Sequence, residues 1–253
     1  MLARAADSEA ATAATLVTGV ALYAVPAALT WDVGADALAF VLGSALFEIG
    51  YLTTLAAGYG RGDLSVVYPL ARGSAPVLVL AVSAGVLGAA TSAWQVAGVG
   101  LAAAGVLLVR GLRRPDDPVV VALALTCGAC IAGYTVIDSH GLDHAAALPY
   151  LWASLGLTSL VYLPLVTRMR GSAPLLRAVR PRTAVAAVLF FGAYLMVLAA
   201  LRLAEPGPVA AVRETSVVVA TALGALVLRE RVTRARWAGA LVVVTGIALI
   251  AVS

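Results

Sequence analysis

Lysine is absent from the chain, so all 17 basic residues are arginine. Schiff-base chemistry, which needs a lysine amine, is thereby excluded. Charge is scarce, at 12% of residues, against about 25% in soluble globular proteins. That scarcity excludes a soluble enzyme and a disordered segment. Two cysteines are too few for a disulfide scaffold. They form a Cys127-x-x-Cys130 pair inside an apolar run, without the second pair a zinc site needs. No Walker-type glycine loop is present, so ATP-driven transport by this chain is not expected. No cofactor-binding pattern is read.

What fills the chain instead is apolar: 62% of its 253 residues are hydrophobic, and the mean hydropathy is +1.00. A span needs about 20 apolar residues. Charge and turn signals cut out nine such segments, at about 14–31, 36–58, 64–87, 92–109, 118–137, 146–166, 183–203, 207–228 and 236–252. They are rich in Ala, Val, Leu and Gly without strict alternation, which favours helices over a barrel. The expected fold is an all-α polytopic membrane protein with nine transmembrane helices. The longest polar connection, about 167–182, holds five arginines.

Arginine placement sets an orientation. With loops assigned alternately to two sides, the side of Met1 collects fourteen arginines and the other side only Arg202. Arg72 and Arg213 fall inside spans. The positive-inside rule then puts the N-terminal end in the cytoplasm of a cell-membrane protein and the C-terminal end outside. The net charge of +4 is explained by these loops and does not point to nucleic acid.

The chain also matches itself. At an offset of 141 positions, Leu64–Val109 falls on Glu205–Ile250 without a gap, with ten identities in 46 positions. Arg72 meets Arg213, Gly98 meets Gly239 and Gly105 meets Gly246. In the preceding span Tyr51 meets Tyr194, at an offset of 143. Two repeats are therefore expected, 1–110 with four helices and 118–252 with five. A five-span unit crosses the bilayer an odd number of times, so the copies are expected to be inverted, as in secondary transporters. The first copy is expected to lack an initial helix.

The residues Asp63-Leu64-Ser65-Val66-Val67-Tyr68-Pro69-Leu70-Ala71-Arg72 and Pro208-Val209-Ala210-Ala211-Val212-Arg213-Glu214-Thr215-Ser216 resemble two helices of the drug/metabolite transporter superfamily, EamA type. Leu228-Arg229-Glu230-Arg231, followed by Trp237-Ala238-Gly239 and Gly246-Ile247, is similar to the turn and last helix of an EamA repeat. The resemblance implies ten helices in two inverted five-helix repeats, and movement of small metabolites or drugs, often outward. Set against that pattern, this chain is expected to lack the first helix.

Four ionisable residues fall well inside spans: Glu48, Arg72, Arg213 and Glu214. Each costs about 2.5–3.5 kcal/mol at a helix centre on insertion scales. They therefore face a cavity or one another. Two guanidiniums facing one cavity suit a carboxylate or phosphate. The other outcome is a buried salt bridge that fixes packing. Glu48 has no acidic counterpart in the second copy, where Phe191 stands. It is a candidate for proton coupling or for pairing with an arginine. Arg213 and Glu214 are adjacent and splay by about 100°, so they cannot face one point.

Tyr68 lies one turn before Arg72, on the same face. Tyr51, Tyr68 and Tyr194 are candidate substrate contacts, with Tyr134 and Trp152 in the second half. Pro69, Pro76, Pro206 and Pro208 flank or interrupt two spans, where proline can kink a helix. Gly98, Gly105, Gly239 and Gly246 suit close helix packing. Asp138, His140, Asp143 and His144 share a short outer loop; the residue types suit a metal, but the loop is brief and is read as solvated. The expected function is a secondary transporter, an exporter, with a small-molecule substrate and the bilayer as its partners. The alternative is a non-transporting or lipid-handling membrane component. Substrate identity and oligomeric state are not legible.

Overall fold

The structure is a computed structural model. It describes residues 2–61, 64–86, 88, 90–110, 117–216, 218–219 and 233–251. Within them the chain forms ten helices: α1 (Leu2–Leu29), α2 (Ala37–Arg61), α3 (Leu64–Gly85), α4 (Ala93–Arg110), α5 (Pro118–Gly141), α6 (Ala147–Arg170), α7 (Ser172–Ala178), α8 (Pro181–Leu201), α9 (Pro206–Arg213) and α10 (Arg234–Ala251). Apart from one isolated bridge, Val33 to Ala145, no extended pairing is present among the described residues. Five helices are long and apolar enough to cross a bilayer: Ser8–Leu29 of α1, and α2, α5, α6 and α8. Leu70–Gly85, Ala93–Leu108 and Trp237–Ile250 are shorter apolar stretches. Of the expected span 207–228, only the start is seen. The rest of it lies outside the described residues, as do Gly62-Asp63, the Arg113-Arg114 loop and the turn Leu228-Arg229-Glu230-Arg231.

The polar connection expected at 167–182 is largely helical. Helix α6 runs on to Arg170, Gly171 adopts φ 80°, and α7 follows at once. A left-handed φ of this kind is open to glycine without strain. The Arg170 guanidinium binds Glu9 of α1 through two hydrogen bonds, of 2.7 and 3.2 Å. Pro206 and Pro208 do not kink a span. Pro206 opens α9 at a first-turn position, where its missing N–H has no partner to lose.

The chain divides into two compact units. The first is Met1–Ala56 with Ile137–Leu203, the second Ala57–Val136 with Ala204–Ser253. Each takes segments from both halves of the sequence.

In the first unit, α1 packs on α6, α7 and α8. The Phe191 ring of α8 lies over Gly19, where a methyl group would fall 2.0 Å from the ring, and Tyr23 stacks on it at 5.2 Å. The α1–α2 and α5–α6 connections are tied together by Gly34 N–H to His144 O and Ala146 N–H to Asp32 O. The polarity of this unit runs opposite to that of a water-soluble fold. Leu42, Leu46, Leu160, Leu189 and Met196 are exposed, while Ser44, Glu48, Asp138, Ser154 and Thr158 are buried. That pattern fits lipid outside and polar contacts inside.

In the second unit, α4 packs along α10 at backbone distance. A methyl on Gly98 would lie 2.6 Å from the Gly246 carbonyl oxygen, and one on Gly246 equally close to the Gly98 oxygen. Gly105 meets Gly239 and Val243 in the same way. At the sequence offset, Gly98 corresponds to Gly239 and Gly105 to Gly246. Exchanging the copies therefore turns one contact into the other, the pattern of a self-complementary two-fold contact. Small residues permit this approach where lipid supplies no hydrophobic drive.

Candidate functional sites in the two units

Three of the four ionisable residues picked from the sequence lie in the second unit, and two of them meet. Arg72 on α3 pairs with Glu214, which caps α9, at 3.5 Å from Nη1 to Oε1. The Glu214 side chain is 2% exposed and that of Arg72 22%. The Arg72 guanidinium also lies over the Tyr68 ring, 5.6 Å from its centroid. Tyr68 sits one helical turn back, as its spacing requires, and the contact is a cation–π one. So Arg72 is held by a carboxylate across helices and by a ring on its own helix. A buried pair of this kind fixes α3 against α9, and losing one partner costs more than losing both.

Arg213 behaves differently, although it is the repeat mate of Arg72. Its Nη2 donates to the Tyr134 hydroxyl of α5 at 3.4 Å. Its Nε is buried with no hydrogen-bond partner among the described residues. Sequence explains the asymmetry. Glu214 corresponds, at the repeat offset, to Gly73. The symmetric copy of the Arg72–Glu214 pair would join Arg213 to residue 73, and glycine has no carboxylate to offer. Arg213 therefore meets a tyrosine hydroxyl where Arg72 meets a carboxylate.

Glu48 and Tyr194 belong to the first unit. Glu48 is 5% exposed, and its Oε2 accepts from the Thr158 hydroxyl of α6 at 2.6 Å. In the same unit Asp138 is fully buried in the last turn of α5. The Tyr150 hydroxyl donates to Asp138 Oδ1 at 3.0 Å, and the Tyr194 hydroxyl donates to Oδ2. Tyr150 reaches it because Gly141 leaves room: a methyl there would fall 2.5 Å from the Tyr150 ring. Tyr51 is half-buried on α2, one turn after Glu48.

Asp138 is hidden in the sequence, because an apolar run that stops at its first charge leaves it in a solvated loop. In the structure α5 continues to Gly141, and a glycine at the helix end is the stop signal that marks it. The histidines are also not simply solvated: Phe40 stacks on His140 and His144 at 6.5 and 5.6 Å. Trp152, expected at a cavity, spends its indole N–H on the Val20 carbonyl at 2.8 Å, joining α6 to α1. Cys127 is buried in α5.

Helices of this length, with lipid-type surfaces and charges held inside them, define a multi-pass membrane protein. Residues 119–252, just over half of the chain, match the EamA-like transporter family, and the chain belongs to that family. A solved crystal structure, titled only as that of a protein, is similar over 99% of this chain and 91% of its own, with a TM-score of 0.68 at 17% identity. That likeness speaks for the fold alone. No curated protein matches the chain.

Proposed function

We propose that the protein is a secondary transporter that carries a small anionic metabolite or drug across the cell membrane by alternating access, in the outward direction. Membership of the EamA-like family supports transport. The observation that carries the substrate class is the state of Arg213. It is a guanidinium inside the second unit, touched by a tyrosine hydroxyl and by no carboxylate among the described residues. A charge in that position calls for a partner, and a forked guanidinium suits a carboxylate or phosphate. Arg72 and Glu214 neutralise each other and hold the helices beside it. Tyr134 adds a hydroxyl beside Arg213.

The two-fold Gly98–Gly246 and Gly105–Gly239 contacts support inverted repeats, the architecture that alternating access uses. The arginine distribution supports a cytoplasmic N-terminal end and an outer C-terminal end.

The test uses proteoliposomes loaded with carboxylates, sugar phosphates, nucleosides or cationic drugs. Efflux of an anion by the native protein, abolished in folded Arg213→Ala, is the expected result. Equal efflux in Arg213→Ala would overturn the reading.

A further inference from the structure

We propose that helix α7 and the arginines around it form a docking site for anionic phospholipid, with guanidiniums on the headgroup phosphate and Leu176 and Val179 among the upper acyl carbons. The inference goes beyond the transport reading and does not rest on it.

Connectivity fixes the level of α7. It follows α6 after Gly171 alone and leads into α8 through Val179-Arg180. Both neighbours are long and apolar enough to cross a bilayer. Two extended residues reach about 7 Å at most, so α7 lies where both spans leave the hydrocarbon. There it is held rather than loose. Its Leu175 is buried, and the helix packs on α1. The turn into α8 is pinned by the Thr183 N–H and hydroxyl, which donate to the Arg180 and Ala178 carbonyls. The Arg180 Nε donates to the Arg177 carbonyl at 2.9 Å, a cation on the last carbonyls of a helix.

This held segment exposes two kinds of side chain. Leu176 and Val179, three apart and so on one side of the last turn, are 74% and 62% exposed, and Met169 at the end of α6 is exposed as well. Arg168, Arg177, Arg180 and Arg182 are exposed in the same stretch. Between Asp143 and Glu205 the sequence has no acidic residue. Glu9 of α1 is bound by Arg170.

A topology signal needs only the charges. It does not need them on a folded helix beside exposed leucine and valine. Apolar side chains next to guanidiniums at the end of a span suit the boundary between acyl chains and headgroups. A second copy of the chain would set the same arginines against themselves, and a zwitterionic headgroup offers no net charge. An anionic phospholipid meets both kinds of side chain. Its phosphate accepts from the guanidinium fork, and its chains cover Leu176 and Val179. Anionic lipids give the cytoplasmic surface its negative potential, and the proposed orientation sets α7 on that side.

The experiment is native mass spectrometry of the full chain in mild detergent, with phosphatidylglycerol and phosphatidylcholine added together. Retention of phosphatidylglycerol over phosphatidylcholine is expected, weakening as ammonium acetate is raised. Arg177→Gln, Arg180→Gln and Arg182→Gln should each weaken retention about fivefold, and the triple variant should lose the preference. Leu176→Ser/Val179→Ser should weaken it with every arginine in place. Arg202→Gln, at the far end of α8, should leave it unchanged. Thermal midpoints of the same proteins separate loss of lipid from loss of fold. Unchanged retention in the folded triple variant, or in Leu176→Ser/Val179→Ser, would overturn the proposal, as would equal retention of the two lipids by the native chain. Three other results would overturn it by naming a different occupant: displacement of the lipid by an equal concentration of inorganic phosphate, a glutamate-rich peptide held in preference to the lipid, or a dimer that the triple variant loses. None of these readouts requires transport, so failure here and failure of the Arg213 reading are distinct results.

Discussion

The two units solve the same problem with opposite charges. Both hold ionisable side chains within membrane helices. The second unit pairs one arginine with one glutamate and leaves another arginine with a tyrosine. The first unit buries two acids, Glu48 and Asp138, that accept hydrogen bonds from hydroxyls. Where a charge is met by its opposite, as at Arg72, the group serves packing. Where the described partner is a hydroxyl, as at Arg213, a ligand is the natural complement.

The sharpest way to break that comparison is to remove one partner of the neutral pair. Arg72→Ala leaves Glu214 buried and charged, and should lower stability by about 3–5 kcal/mol. The double variant Arg72→Ala/Glu214→Ala should recover part of that loss. Thermal midpoints in detergent read both, and equal loss in single and double variants would mean that the pair does not fix α3 against α9.

Next in size is the α4–α10 contact. Gly246→Ala puts a methyl 2.6 Å from the Gly98 oxygen, and overpacking of this kind costs about 1–3 kcal/mol. Gly98→Ala should cost a similar amount if the contact is two-fold. A large difference between the two midpoints would sharpen the account toward an asymmetric interface.

Smaller effects belong to the first unit. Tyr150→Phe removes one donor to Asp138 and should cost about 1 kcal/mol. Gly141→Ala should do at least as much harm, because the methyl displaces the same ring. If Gly141→Ala proves neutral in a thermal melt, Tyr150 is not held where this structure puts it. Arg213→Ala, by contrast, should change the midpoint least of all, since its one described partner is a hydroxyl at 3.4 Å.

Much of this was legible in the chain. The repeat register picked out Arg72 with Arg213 and the four glycines, and the glycines do meet in matched pairs. Periodicity placed Tyr68 under Arg72. Other features were hidden for physical reasons. Arg72 and Glu214 lie 142 residues apart, and Glu48 and Thr158 lie 110 apart. Sequence spacing carries no information about such partners once each residue sits on a different helix. Sequence allowed Arg72 either a salt bridge or a ligand, and only the geometry separated it from Arg213. Helix α7 was hidden by Arg177 and the arginines on either side of the helix, which read as a loop although Leu175 is buried. Asp138 was hidden by the habit of ending a span at its first charge. A charge with two tyrosine donors can lie inside a helix that a hydropathy rule would stop early.

The central claim is that Arg213 binds substrate whereas Arg72 holds the fold. It is tested most directly by measuring anion efflux and the thermal midpoint together in Arg213→Ala. The account predicts a midpoint close to that of the native protein and efflux reduced to background. Native-level efflux from a folded Arg213→Ala protein would contradict it.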